Sequence, residues 1–241
     1  MMQATDFEFR NRWWMFGAIF GVAFFTFAID HQPLGQRLAN RLSAALQWQQ
    51  EPTLHLMFGI GALIMIAAAL LRTWASAYLG RVVVHDAALH SERLNADGPY
   101  RCVRNPLYFG NLMMALAMAL VAPLPGSVII LIGMPLFCYR LIGREEASLQ
   151  AQQGEPFRTY MRTVPRLLPS LWTRIPSGAG QKDWINGLSA EAYFWSFALG
   201  YVAFAATLNI LWLYAGLAAS PLLSWLADRV FHGRAVSADR A

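Results

Sequence analysis

Residues 107–139 contain no Asp, Glu, Lys, Arg or His, and near their middle they read Ala122-Pro123-Leu124-Pro125-Gly126. Two uncharged apolar runs, 107–121 and 127–139, joined by so short a Pro- and Gly-containing stretch, predict two membrane-buried helices in a tight hairpin. In hydrocarbon every backbone N–H and C=O must be bonded within the protein, so such a chain is committed to helices. The hairpin also forces whatever precedes residue 107 and whatever follows residue 139 onto the same side of the bilayer.

Other apolar runs extend this to an all-α, polytopic integral membrane protein of about five transmembrane helices. Residues 13–29 are uncharged, open on Trp13-Trp14 at an interface and lack a small-residue cleavage site before Asp30, so they read as a retained anchor. Residues 30–51 are polar, with Leu34, Leu38, Leu42 and Leu46 spaced for a short amphipathic helix. Residues 54–71 form a second span, which Arg72-Thr73-Trp74 follow and which continues helically to Leu79. A polar loop, 80–97, holds His85 and His90. After the hairpin the helical register continues through Arg144, Glu145 and Glu146 to Gln153, where Gly154-Glu155-Pro156 stops it. Residues 157–164 read as an interfacial helix, 165–188 as irregular, and 193–219 as a fifth span ending near Pro221. The expected organisation is one membrane domain: a core at 54–175, a linker at 176–190 and a C-terminal transmembrane segment at 191–231.

Composition agrees. The chain is 56% hydrophobic and 14% charged, and its mean hydropathy is +0.36. Its net charge of +5 comes almost wholly from arginine, since Lys182 is the one lysine. These arginines flank apolar spans, which argues against a nucleic-acid partner and for positive cytoplasmic loops. The uncharged turn at 122–126 then faces away from the cytoplasm, while 93–104 and 140–166 face it. Counting back places the N-terminus inside. Counting forward over a single fifth span places the C-terminus outside, where Arg229, Arg234 and Arg240 fit the rule less well. Cys102 and Cys138 have no partner at metal-ligand spacing and read as packing residues, so no metal is expected.

Asn105-Pro106 marks a helix start, with Asn as N-cap and Pro at the first helical position. The hairpin brings this start, with Arg104, Asn105, Tyr108 and Gly110, beside Arg144, Glu145 and Glu146 at the end of the next helix. Arginine and helix N–H groups can hold a carboxylate, a Glu can hold an ammonium, and aromatic faces attract a further cation. Such a patch suits a zwitterionic ligand, and S-adenosylmethionine has all three features. Glu145 and Glu146 lie about 100° apart on a helix, so one can point inward while the other pairs with an arginine such as Arg144 or Arg158. Structural readings stand beside these. Asn105 is equally a plain N-cap, and Arg101 and Arg104 suit any cytoplasmic boundary. Glu145-Glu146 suits a solvated face, His85 and His90 suit a surface loop, and Arg72 can snorkel from its span.

GPYRCVRNPLYFG at 98–110, followed by REEASLQAQQGEPFRTYMRTVPRLLP at 144–169, resembles the isoprenylcysteine carboxyl methyltransferase and phospholipid methyltransferase superfamily of membrane enzymes. The likeness covers roughly residues 72–172 in the same order. It implies an S-adenosylmethionine-dependent methyltransferase acting on a lipophilic acceptor, an isoprenylcysteine-like carboxylate, a phospholipid headgroup or another small lipid. Its cofactor pocket faces the cytoplasm, in the cytoplasmic membrane if the source is prokaryotic. The resemblance implies that Tyr100, Arg104, Asn105, Pro106, Tyr108, Gly110, Arg144, Glu145 and Glu146 form the pocket and that Tyr160 and Arg166 help close it. Arg104, Asn105, Glu145 and Glu146 are the catalytic candidates, and Arg72, His85 and His90 the candidates for the acceptor side. The family's usual His is Asn105 here, which cannot carry a proton at neutral pH. A neighbouring branch, the sterol-type reductases with NADPH, is the enzymatic alternative, and a membrane scaffold or small transporter the non-enzymatic one. Spans almost free of ionisable residues argue against a transporter.

Overall fold

A computed structural model of the chain describes residues 2–79, 96–178, 180 and 182–238. His85 and His90 lie outside the described residues. All regular structure among those residues is helical: α1 (Asp6–Arg10), α2 (Arg12–Phe25), α3 (Leu34–Leu46), α4 (Gln50–Leu79), α5 (Pro106–Val121), α6 (Leu124–Gln153), α7 (Glu155–Thr163), α8 (Trp184–Ala190), α9 (Ala192–Thr207) and α10 (Leu211–Ala238). Two of them, α4 and α6, are long and apolar enough to cross a membrane, and α2, α5, α9 and residues 211–227 of α10 are shorter apolar helices.

The central element is α5, whose small residues let neighbours approach on opposite sides. Ala117 packs with Phe58, Met65, Phe194 and Tyr201 of α4 and α9, while Ala115 and Ala119 pack with Ala23 of α2 and with Ile130 and Met134 of α6. Tyr201 donates its hydroxyl to the Ala117 carbonyl at 2.9 Å, and Ser127 donates to that of Ala119 at 2.7 Å. The α5–α6 turn is as tight as its sequence predicts. Leu34 N–H bonds the Ala122 carbonyl at 2.8 Å, which sets the amphipathic α3 at the turn end of the bundle. Everything that bears on the site lies at the other end.

The N-terminal residues are folded against that other end. Ala4 N–H bonds the Arg140 carbonyl at 3.0 Å, Glu8 pairs with Arg140 at 2.7 Å, and Asp6 pairs with Arg144 at 2.5 Å. The Arg140 guanidinium and the Thr5 capping box hold the Glu8 carboxyl down at about 2. Phe9 is buried between the Arg12 and Arg144 guanidinium groups, each 4.9 Å from its ring.

Three expectations are corrected. The apolar run 193–219 is not one span: it breaks after Thr207 at Leu208, which takes a left-handed φ of 54°. The Asn209 side chain then accepts the Leu211 N–H at 3.0 Å and starts a new helix. α10 turns back along α9, Gly200 against Gly216, and therefore heads toward the end where α9 began. Pro221 lies inside α10 rather than ending it. Residues 184–190, read as irregular, form α8, which Asp183 caps through the Asn186 N–H at 3.0 Å.

Candidate functional site

The Gly-Pro turn that opens the motif is fixed by its own geometry. Gly98 has φ +56°, and a Cβ there would lie 2.3 Å from the Tyr78 ring, so only glycine fits. Beside it, the Asp97 carboxylate accepts the Gly178 N–H at 2.8 Å, the Gly180 N–H at 2.8 Å and the Ser177 hydroxyl at 3.1 Å. Those bonds, the Gly178 N–H first, hold its carboxyl below the ordinary aspartate range.

From there residues 101–105 run alongside 164–175. Arg101 Nε donates to the Ile175 carbonyl at 2.9 Å, Ser170 N–H to the Cys102 carbonyl at 2.9 Å, and Arg104 N–H to the Pro165 carbonyl at 2.9 Å. The two blocks of the sequence that carry the resemblance, 98–110 and 144–169, are thereby one structural unit. Tyr160 completes it by donating its hydroxyl to the Tyr100 carbonyl at 2.8 Å.

Glu146 is the hub. It accepts from Arg104 Nε at 2.9 Å and Asn105 Nδ2 at 3.2 Å through one oxygen, and from Arg166 through the other, at 2.8 Å from Nε. Its side chain is 6% exposed, and those of Arg104 and Arg166 are 11% and 16% exposed. Arg104 also donates to the carbonyls of Val164, at 2.8 Å, and Met161. The glutamate that pairs with arginine is therefore Glu146, and its partners are Arg104 and Arg166. Arg144 turns to Asp6 and the Ala4 carbonyl, and Arg158 pairs with Glu155 within α7. Asn105 stands at the N-cap as expected, yet its side chain makes no cap bond. It donates instead to Glu146 and to the Arg166 carbonyl, the latter at 2.9 Å.

Glu145 points elsewhere. Its Oε1 accepts the Tyr108 hydroxyl at 2.7 Å, bridging α5 and α6. Around this pair stand Arg12, which acts electrostatically on both groups, and Phe9 and Phe137, whose cluster Tyr108 joins. Tyr100 is buried, and among the described residues its hydroxyl has no hydrogen-bond partner. That hydroxyl lies within the electrostatic reach of Glu145, Arg72 and Glu191, and burial raises its pKa. Pro106 is buried as the first residue of α5. Gly110 abuts Arg72, whose Cγ would lie 2.5 Å from a Cβ at that position.

Residues 56–154 match the model of the phospholipid methyltransferase family. The match covers 99 of the 241 residues, and the family lies within the membrane methyltransferase superfamily that the sequence resembles. No curated protein and no solved structure matches the chain. The matched segment carries Arg72, Tyr100, Arg104, Asn105, Tyr108, Glu145 and Glu146, and ends just before α7, which holds Tyr160 and is followed by Arg166.

Three residues at this end of the bundle escaped the sequence reading: Arg12, Asn111 and Glu191. Arg12 and Glu191 are lone charges at the first turn of apolar helices, and position alone marks them as worth pairing. Arg72 does not snorkel. It is buried at 3% exposure against Glu191 at 0%.

Proposed function

We propose that the protein is an integral membrane methyltransferase that uses S-adenosylmethionine to methylate a lipophilic acceptor. The observation that carries this is the Tyr108–Glu145 bond within a family-matched segment, together with the buried Tyr100 hydroxyl, which has no hydrogen-bond partner among the described residues. The donor set fits the cofactor. Glu145 offers a carboxylate for an ammonium, Tyr100 a hydroxyl without a hydrogen-bond partner among the described residues, and Tyr108 an aromatic face for a cation. Arg12 and the first N–H groups of α5 offer positive charge for a carboxylate.

When bound, S-adenosylmethionine supplies a methyl group on an already activated sulfonium. The protein's task is then alignment and exclusion of water. Tyr108 fixes the rotamer of Glu145. Arg104, Asn105 and Arg166, gathered on Glu146, lock the start of α5 to the block that follows α6. Tyr160 holds the backbone of Tyr100, so the hydroxyl of Tyr100 is presented from a rigid turn. A carboxylate acceptor needs no base. An amine acceptor gives its proton to Glu145, the carboxylate of the pocket whose partner is a neutral hydroxyl rather than an arginine. His85 and His90 remain acceptor-side candidates.

The same reading gives the membrane arrangement. α2, α4, α5, α6, α9 and α10 form six apolar passes, with the site on the cytoplasmic side. Because α9 and α10 form a hairpin, Arg229 of α10 returns to that side, in keeping with the positive-inside rule. The acceptor, lipid in character, enters laterally from the bilayer.

Calorimetric titration of the detergent-purified protein with S-adenosylhomocysteine tests the reading. Saturable binding that Glu145→Ala weakens is expected. Binding of NADPH in its place points to the reductase branch, and binding of neither overturns the proposal.

A further inference from the structure

We infer that Glu191, outside the family-matched segment, is a positioning residue that sets the mouth of α5 through Arg72. This rests on the pocket reading above. Arg72 has five N–H donors and uses all of them. Nε donates to Glu191 Oε2 at 2.7 Å, and Nη2 donates to Glu191 Oε1 at 3.0 Å and to the Tyr193 hydroxyl at 2.7 Å. Nη1 donates to the Leu107 carbonyl at 3.1 Å and to Asn111 Oδ1 at 2.8 Å. Leu107 and Asn111 bracket Tyr108, so one guanidinium grips α5 on both sides of the residue that bonds Glu145.

Glu191 is what holds that guanidinium in place. It is fully buried, it also accepts the Ser76 hydroxyl at 2.6 Å, and it stands at the N-cap of α9, where the helix dipole favours an anion. The Phe194 ring closes the far face, 4.9 Å from the guanidinium carbon. Gly110 leaves the room through which Arg72 passes. A buried ion pair is a poor source of net stability, since desolvation offsets the attraction. What this one supplies is a fixed distance between α4, α5 and α9. The C-terminal helical pair thus belongs to the site's architecture: it delivers the anion that orients the arginine that orients Tyr108.

The test compares the full-length wild type with Arg72→Gln/Glu191→Gln and with Asn111→Leu, in detergent. The double variant removes both charges together and leaves no uncompensated ion. Asn111→Leu removes one of the two bonds from Arg72 to α5, leaving that to the Leu107 carbonyl, while the ion pair stays. S-adenosylhomocysteine affinity, melting temperature and amide exchange at residues 105–111 are measured together. The brace predicts faster exchange there in both variants and affinity about tenfold lower in the double variant, at a melting temperature close to wild type. Wild-type exchange and affinity in a folded variant overturn it. If the double variant does not fold, Asn111→Leu decides by the same two readouts. If wild type itself binds no S-adenosylhomocysteine, the pocket reading has failed, and the exchange comparison still decides the brace.

Discussion

Tyr108 and Glu145 meet at 2.7 Å across the two helices of an uncharged hairpin, while Glu146, one residue further, is surrounded by Arg104, Asn105 and Arg166. Adjacent glutamates on one helix thus have separate tasks. Glu146 ties the surrounding segments together, and Glu145 meets a neutral partner, Tyr108.

Tyr108→Phe removes the hydroxyl and keeps the ring. The bond is within the protein, so its loss reaches the ligand through the freed Glu145 side chain; re-ordering one such side chain costs about 0.5–1.5 kcal/mol, and S-adenosylhomocysteine affinity falls by roughly two- to tenfold. Titration calorimetry measures this, with an unchanged far-ultraviolet circular dichroism spectrum as the control for folding.

Glu146→Gln acts differently. It leaves two mostly buried guanidinium groups without their anion, a change that costs about 3–5 kcal/mol for a fully buried pair and less here, where Arg166 is partly wet. A lowered melting temperature in detergent is the expected result, larger than that of Glu145→Gln. Equal melting temperatures for the two variants would contradict the division of tasks.

Gly98→Ala places a methyl group in the Tyr78 ring at a left-handed φ. The backbone strain alone amounts to about 1–2 kcal/mol, and the clash adds to it. Limited proteolysis at residues 96–104 should be faster than in wild type, and the protein should melt earlier.

Asp97 makes the attachment of Ser177, Gly178 and Gly180 dependent on pH. Its folded pKa lies below the ordinary value of 3.8, so its contribution is present above that value and is lost as pH falls through the folded one. The protection of the Gly178 and Gly180 amides, taken relative to their intrinsic exchange rates, should be high at neutral pH and fall in acid. In Asp97→Asn that acid-induced change should disappear.

Much of this was legible in the sequence because apolar runs and helix signals are local. The uncharged hairpin, the Asn105-Pro106 start of α5 and the Gly154 stop of α6 all fall where residue chemistry puts them. The site half-emerged for the same reason: a short turn obliges residues 104–110 and 144–146 to be neighbours. What stayed hidden depends on distant partners. Nothing near Arg72 announces that its anion is 119 positions away. The break at Leu208 was masked because Leu208 and Ile210 keep the run apolar, and only Thr207 and Asn209 carry the turn. Pro221 misled in the opposite sense, since α10 runs through it. Arg12 closes a stretch, 1–12, of mixed charge that gives no sign of a site, whereas the Phe9 contact draws it in toward Tyr108 and Glu145.

The most direct measurement is methyl transfer itself. Membranes containing the wild-type protein or Glu145→Gln are incubated with methyl-labelled S-adenosylmethionine, and their lipids are extracted and separated. The account predicts a labelled lipid-soluble product with wild type that falls at least about tenfold with the variant. Equal labelling from both proteins, or none above membranes lacking the protein, would contradict it.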